Sequence, residues 1–211
     1  MVHEGPMNRD GKDRPDPQPG PGQPEDLLAA LCRKLGDGIE CGSQAAKVLA
    51  GEVAAALLPG DWLFLEGDLG AGKTTFVQWL LGPKLASSVA DGEAGLDAGS
   101  FVTSPTYSLC HGYDAPSELG DRFRSVIHMD LYRMQHDREV FYLGLDELIS
   151  RETLVVVEWA EQVSQQGWRQ LWFGLDCGAP QRLIQLSIAW ADHANAVQDE
   201  KRRYRICVLP T

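Results

Sequence analysis

The sequence predicts an α/β fold of three layers, with a mixed, mostly parallel central sheet and a C-terminal antiparallel hairpin, and three observations carry that expectation. The apolar run Trp62-Leu63-Phe64-Leu65 passes through the glycine-rich stretch Gly67-Asp68-Leu69-Gly70-Ala71-Gly72-Lys73-Thr74-Thr75 into Phe76-Val77-Gln78-Trp79-Leu80-Leu81, which reads as strand, loop and helix. Two further runs, Ser125 to Asp130 and Leu154 to Trp159, are largely apolar, as strands buried on both faces are, and each delivers a carboxylate at its end. Lastly, Leu183 to Trp190 and Tyr204 to Leu209 read as two strands joined by a polar loop.

The other elements follow in chain order. Residues 1–24 hold half of the 12 prolines and almost no large apolar side chains, so they are expected to be a disordered tail ahead of a single domain over residues 25–211. From Glu25 to Lys34, the positions of Leu27, Leu28, Leu31 and Leu35 mark a short amphipathic helix that ends at Gly36 or Gly38. A second helix is expected from Ser43, its N-cap, to Pro59-Gly60, with Val48, Leu49, Val53, Ala56 and Leu57 on one face. Gly82-Pro83 ends the helix after the glycine-rich loop with a left-handed cap. Ser87 to Ser100 has no periodicity and reads as a mobile surface loop, and Ala115 to Arg122 as a second irregular one. Between them, Phe101 to Leu109 sets β-forming residues around Pro105, with the hydroxyls of Ser104 and Thr106 at the bend. Arg138 to Tyr142 and Asp146 to Ser150 read as two short helices separated by Gly144, and Leu171, Phe173 and Leu175 alternate as a further strand.

A chain of 211 residues that is 44% hydrophobic can bury one sizeable core. Its formal charge of -11 argues against broad wrapping of nucleic acid, which needs many basic side chains to neutralise phosphates, so any RNA connection runs through a partner. Cys32, Cys41, Cys110, Cys177 and Cys207 include no C-x-x-C pair and read as reduced, mostly structural thiols of a cytosolic protein, with no zinc site. No apolar run approaches a membrane span, and charges and prolines stand where a signal peptide has its apolar region. The expectation is a soluble, cytoplasmic protein.

Gly67, Gly72, Lys73 and Thr74 satisfy the pattern G-x-x-x-x-G-K-[ST], the phosphate loop of P-loop NTPases. Glycines let successive backbone N–H groups converge on phosphate oxygens, and the helix that starts there adds its positive end. The amides from Asp68, Leu69, Gly70, Ala71 and Gly72 to Thr75 are thus candidate triphosphate ligands, with Lys73 reaching the β- and γ-phosphates and the Thr74 hydroxyl ligating magnesium. Asp130 and Glu158 lie at the C-terminal ends of strands, where an open α/β sheet gathers its ligands. At least one of them is expected beside the magnesium ion, and the other is a candidate to orient an attacking water. His128 reads as a buried, hydrogen-bonded strand residue, Trp159 as a core aromatic or a wall of the site, and Arg133 as a contact to phosphate or to a partner, or equally as a surface ion pair. Lys201, Arg202, Arg203 and Arg205, diluted by Asp199 and Glu200, read as a solvated hairpin turn.

Five motifs in order, the phosphate loop, Ser104-Pro105-Thr106-Tyr107, His128-Met129-Asp130-Leu131-Tyr132-Arg133, Leu143-Gly144-Leu145-Asp146-Glu147 and Val157-Glu158-Trp159, make the chain resemble the bacterial TsaE (YjeE) family over roughly residues 43–190. The resemblance implies an ATPase that supports threonylcarbamoyladenosine modification of tRNA, working in the cytoplasm with the TsaD–TsaB pair. It implies that Lys73 and Thr74 bind ATP and Mg2+, that Glu158 is a magnesium-linked acid and that Asp130 is needed for hydrolysis. It further implies that Ser104-Pro105-Thr106 senses the γ-phosphate and that Trp159 lines the site. Ala46 departs from the family, which usually carries a threonine near the nucleotide there, and the loop from Ser87 to Ser100 is longer than expected. A small-molecule kinase uses the same loop, but such kinases carry an arginine-rich lid after the central strands, whereas the Arg cluster here lies in the terminal hairpin. A GTPase is disfavoured because neither Asn8 nor Asn195 is followed by lysine, as guanine reading requires. A module that holds ATP without hydrolysing it stays open at this stage.

Overall fold

The structure, a computed structural model, describes residues 23–82, 109–115, 119, 122–191 and 201–211. The proline-rich tail, the segment from Ser87 to Ser100, the bend with Ser104, Pro105 and Thr106, and most of the loops from Ala115 to Arg122 and before Lys201 lie outside the described residues.

Helix α1 (Pro24–Leu35) has proline in its first turn, acids Glu25 and Asp26 beside it and Arg33 and Lys34 in its last turn, the charge order a helix dipole favours. Its Leu28, Leu31 and Leu35 are buried. Strand β1 (Ile39–Cys41) leads to α2 (Ser43–Ala56), whose N-cap is Gly42, with no side-chain capping bond. Ser43 is therefore the first helical residue and not the expected cap. The buried face of α2 runs through Ala46, Leu49, Ala50, Val53 and Ala54, while Val48 is 58% exposed, so the expected stripe is rotated. Small residues make up this face because α2 packs closely between α1 and α3 (Lys73–Leu81).

Strands β2 (Trp62–Glu66), β3 (Cys110–Asp114), β4 (Ser125–Asp130), β5 (Thr153–Glu158), β6 (Leu183–Trp190) and β7 (Arg202–Leu209) complete one sheet in the order β1-β7-β6-β2-β5-β4-β3. Strands β6, β2, β5 and β4 are parallel neighbours. Strands β3 and β7 pair antiparallel with β4 and β6, and β1 pairs antiparallel with β7. The mixed, mostly parallel sheet and the terminal hairpin are thus both present. Strands β1 and β3 have no counterpart in the sequence reading. They lie at the two edges, where one ladder partner and partial burial suffice, so no apolar run marks them.

Alternation along β2 and β5 feeds two cores, because successive side chains point to opposite faces. Leu63, Leu65, Leu154 and Val156 join the side covered by α1, α2 and α3. Trp62, Phe64, Val155 and Val157 join the other, which is closed by α5 (Gln165–Gly174) and, less extensively, by Val140 and by α4 (Leu145–Leu148). The three layers follow from this division. A 3-10 turn over Asp137–Tyr142 precedes α4, close to the two short helices expected around Gly144.

The strand expected at Leu171, Phe173 and Leu175 is instead helix α5. Trp168, Leu171, Trp172 and Leu175 recur at the helical spacing and are all buried, and Ser164 caps the helix by accepting from the Gly167 N–H at 3.1 Å. The period-2 reading counted Phe173, which is 96% exposed. Trp62 meets Trp168 and Trp172 edge-on at 5.8 and 5.9 Å between ring centres, so α5 is fastened to β2 by aromatic packing. Trp168→Ala is expected to lower the unfolding free energy by about 3–5 kcal/mol through lost contact and a residual cavity. Phe173→Ser should change it by less than about 0.5 kcal/mol, as exposed substitutions do. Urea titration of both variants checks the helix, since a strand at this position would bury Phe173 and reverse the order.

Candidate functional site

At the end of β2 the chain must turn sharply to enter α3, and the glycines decide how. Gly67 has φ +143°, and a Cβ there would stand 2.1 Å from the Ile188 carbonyl oxygen on β6, so only glycine fits. Gly72, in the left-handed region at φ +101°, is the N-cap of α3. The Ala71 N–H closes a turn onto the Asp68 carbonyl at 3.1 Å, and Ala71 itself is buried beneath the loop. From the first position of α3, Lys73 folds its ammonium back to donate to the Gly67 and Asp68 carbonyls at 2.6 and 3.1 Å.

The two acids meet because β4 and β5 are parallel and in register, with Asp130 opposite Glu158. Each follows an even-numbered series, Val126-His128-Asp130 and Leu154-Val156-Glu158, that points to the α3 side of the sheet. Thr74 donates its hydroxyl to Glu158 Oε2 at 2.8 Å, tying the helix N-terminus to the end of β5. The other oxygen of Glu158 lies 2.9 Å from His128 Nε2, and both side chains are almost wholly buried. Asp130 Oδ1 accepts the Tyr132 N–H at 3.1 Å.

Trp159 closes the site from the far side. It has φ +60°, a conformation bulky residues rarely adopt, and it caps a 3-10 turn over Ala160–Gln162. In that conformation its ring lies 3.6 Å from the Lys73 ammonium and 4.9 Å, centre to centre, from the Tyr132 ring. Such a strained aromatic over a cation is the kind of local cost that functional sites carry. Burial lowers the Lys73 ammonium below the usual lysine value, and the carboxylates of Glu158, Glu161, Asp130 and Asp68 act in the opposite direction. Burial also raises Glu161 above the usual glutamate value.

The result is an open cleft of about 400 Å³ lined by Gly72, Lys73, Thr74, Asp130, Glu158 and Trp159, with Leu69, Gly70 and Thr75 on its loop side. Its hydroxyl and two carboxylates form an all-oxygen set suited to a hard divalent cation, beside a cation and a helix N-terminus suited to phosphate. A smaller hollow of about 230 Å³ at the opposite end of β2, lined by Gly60, Arg151 and Gln181, offers no such set. Of the expected site residues, Thr106 lies outside the described residues; Ala46, the departure from the family pattern, is buried in the α2 core.

The basic cluster near the C-terminus is not a turn. Arg202, Arg203 and Arg205 belong to β7, where Arg203 pairs with Glu40 and Arg205 donates to the Gly36 carbonyl at 2.8 Å. Arg202 stacks on Trp190 and donates Nε–H to the Ala71 carbonyl at 3.2 Å, bracing the phosphate loop from the hairpin. Sequence reading missed this brace, and it missed what His128 touches, because both contacts join residues far apart in the sequence.

Residues 42–184 match the family model described as "Threonylcarbamoyl adenosine biosynthesis protein TsaE". A Bacillus subtilis (strain 168) protein named tRNA threonylcarbamoyladenosine biosynthesis protein TsaE is 38% identical over 120 residues, 57% of this chain and 63% of that relative. The chain thus spans less than two thirds of the length of that relative. A Treponema pallidum (strain Nichols) protein of the same name is 31% identical over 131 residues, 61% of this chain and 83% of the relative. A crystal structure of Bacillus subtilis YdiB is similar at 26% identity, covering 81% of this chain and 84% of that one, with a TM-score of 0.46.

Gly67→Ala is expected to destabilise the fold by at least about 1–3 kcal/mol, the usual cost of a strained backbone, and to displace the loop from Ile188. Thermal unfolding of the variant checks this, and an unchanged midpoint would contradict the close approach.

Proposed function

The chain belongs to the TsaE family, and from that premise we propose that it is the ATP-binding and ATP-hydrolysing component of the cytoplasmic machinery that makes threonylcarbamoyladenosine beside the anticodon of tRNA, working with TsaD and TsaB-like partners. The observation that carries the reading is the meeting of Lys73, Thr74, Asp130 and Glu158 at the mouth of a phosphate loop. Two features support an indirect link to RNA. The chain has a net charge of -11, and Arg202, Arg203 and Arg205 are engaged within the fold. Among the described residues, no helix is long and apolar enough to cross a membrane.

In this reading the amides from Asp68 to Thr75 bind the triphosphate, and Lys73 exchanges its two carbonyl acceptors for phosphate oxygens. The exchange is favourable because a charged acceptor makes the stronger bond. Thr74 and Glu158 would hold Mg2+, which supplies neutralising charge at the β- and γ-phosphates. Asp130, one strand over and in register, orients the attacking water. Trp159 walls the cleft and keeps water from the Lys73 ammonium, and Thr106 senses the γ-phosphate.

Hydrolysis should be slow for the isolated chain and rise when TsaD and TsaB are added, as read by phosphate release. Three folded proteins that show no stimulation would overturn the partner-coupled reading, and transfer of the γ-phosphate to a small acceptor, followed by phosphorus NMR, would favour a kinase.

Lys73→Ala is expected to weaken ATP binding by about 100-fold or more, since two charge-assisted bonds are lost together. Glu158→Ala should leave binding largely intact while hydrolysis falls by roughly 100- to 1,000-fold, the size of effect seen when a transition-state contact is removed. Fluorescent-nucleotide titration beside single-turnover hydrolysis separates the two, and equal losses for Glu158→Ala would make that residue structural only.

A further inference from the structure

His128 is the one buried histidine ring on the α3 side of the sheet whose sole hydrogen bond within the described residues reaches an acid of the candidate site. It stands two residues before Asp130 on β4, so both project to the same face, and it is opposite Val156 in the register that puts Asp130 opposite Glu158. The ring reaches diagonally to Glu158 Oε1 at 2.9 Å while Thr74 takes Oε2 at 2.8 Å. Both oxygens of one carboxylate are thus claimed from opposite sides, one by the sheet and one by the phosphate-loop helix.

A carboxylate only accepts, so the bond to Glu158 takes its proton from Nε2. Nδ1 is buried with no partner among the described residues. A histidine that served packing alone would be expected to satisfy both nitrogens or to be replaced by an apolar residue, because an unpartnered buried polar atom is costly. Here the ring forgoes one bond and keeps the one to Glu158.

We propose that His128 is a positioning residue for the cation site: its Nε2–H holds Glu158 Oε1 so that Oε2 is presented beside Thr74, where the divalent ion would sit. The proposal rests on the reading of Thr74 and Glu158 given above. Histidine plays the reverse of its familiar part, since the acid is the ligand and the imidazole is the group that orients it. It predicts an effect on the metal and little effect on the nucleotide alone, because among the described residues no hydrogen bond joins His128 to Lys73 or to a loop amide.

Two variants divide the possibilities. His128→Leu keeps the bulk and removes the donor, and His128→Gln places an amide N–H near the same point. Mn2+ affinity of the protein–ADP complex, read by electron paramagnetic resonance, should weaken by about 10- to 100-fold in His128→Leu, as when the partner of a metal ligand is removed. His128→Gln should recover most of that loss, and metal-free ADP affinity should stay within about twofold in both. An unchanged Mn2+ affinity in His128→Leu, an equal loss in His128→Gln, or a matching loss of metal-free ADP affinity would each overturn the proposal. A wild-type ADP complex that binds Mn2+ no better than ADP alone would instead defeat the underlying assignment of Thr74 and Glu158, and the proposal with it. Should His128→Leu fail to fold, long-range 1H–15N NMR on the wild-type chain decides: the Nε2–H tautomer is expected, and an Nδ1–H tautomer would overturn the proposal.

Discussion

The hydrogen bond from the Thr74 hydroxyl to Glu158 joins residues 84 apart in sequence and fastens the start of α3 to the end of β5. Much of the site depends on it. A phosphate loop is a stretch of backbone with few side chains to pack, so its shape is set by what holds its two ends. One end leaves β2 through Gly67, pressed against the Ile188 carbonyl, and the other enters α3 at Lys73. Thr74 anchors that second end to the sheet, and the Arg202 guanidinium braces the middle at the Ala71 carbonyl. The loop is thereby held against three strands, β5, β6 and β7, before any ligand contributes.

Such a loop also needs a stiff sheet behind it, and buried polar contacts supply part of that stiffness at the opposite end. Asp61, just before β2, is fully buried and accepts from the Arg182 guanidinium and from the Leu58 N–H at 2.7 Å. Arg182 also donates to the Ala56 carbonyl at 2.9 Å, which bolts the entries of β2 and β6 to the end of α2. Arg122 caps the same helix end by donating to the Leu57 carbonyl at 2.9 Å. Helix C-termini leave carbonyls without internal partners, and here two arginines from distant segments satisfy them. Removing either partner of the Asp61–Arg182 pair would leave the other charge without its counter-ion inside the fold, which is strongly destabilising.

How much could be read from the chain alone varies with how local each cause is. The strand-loop-helix unit, the paired acids and the terminal hairpin were legible because each leaves a mark within a few residues: glycines where φ must be positive, unbroken apolar runs where both faces are buried. Helix α5 was misread for want of a wider window. Leu171, Phe173 and Leu175 alternate over five residues, whereas the stripe from Trp168 to Leu175 needs eight before the helical period wins. The edge strands β1 and β3 left almost no mark, since polar and small residues serve an edge as well as apolar ones.

By itself the sequence determined that a phosphate loop lies between a buried strand and a helix, that two later strands end in carboxylates, and that the chain carries the motifs of one family. These are properties of short stretches, governed by backbone sterics and side-chain periodicity. Only the tertiary structure decided that Glu158 divides its oxygens between Thr74 and His128, that Lys73 lies against Trp159, and that the C-terminal arginines brace the loop and the β1 edge. Those contacts depend on strand order and on register. A slip of one residue between β4 and β5 would turn His128 and Asp130 to the opposite face, and no local pattern in the chain records the register that prevents it.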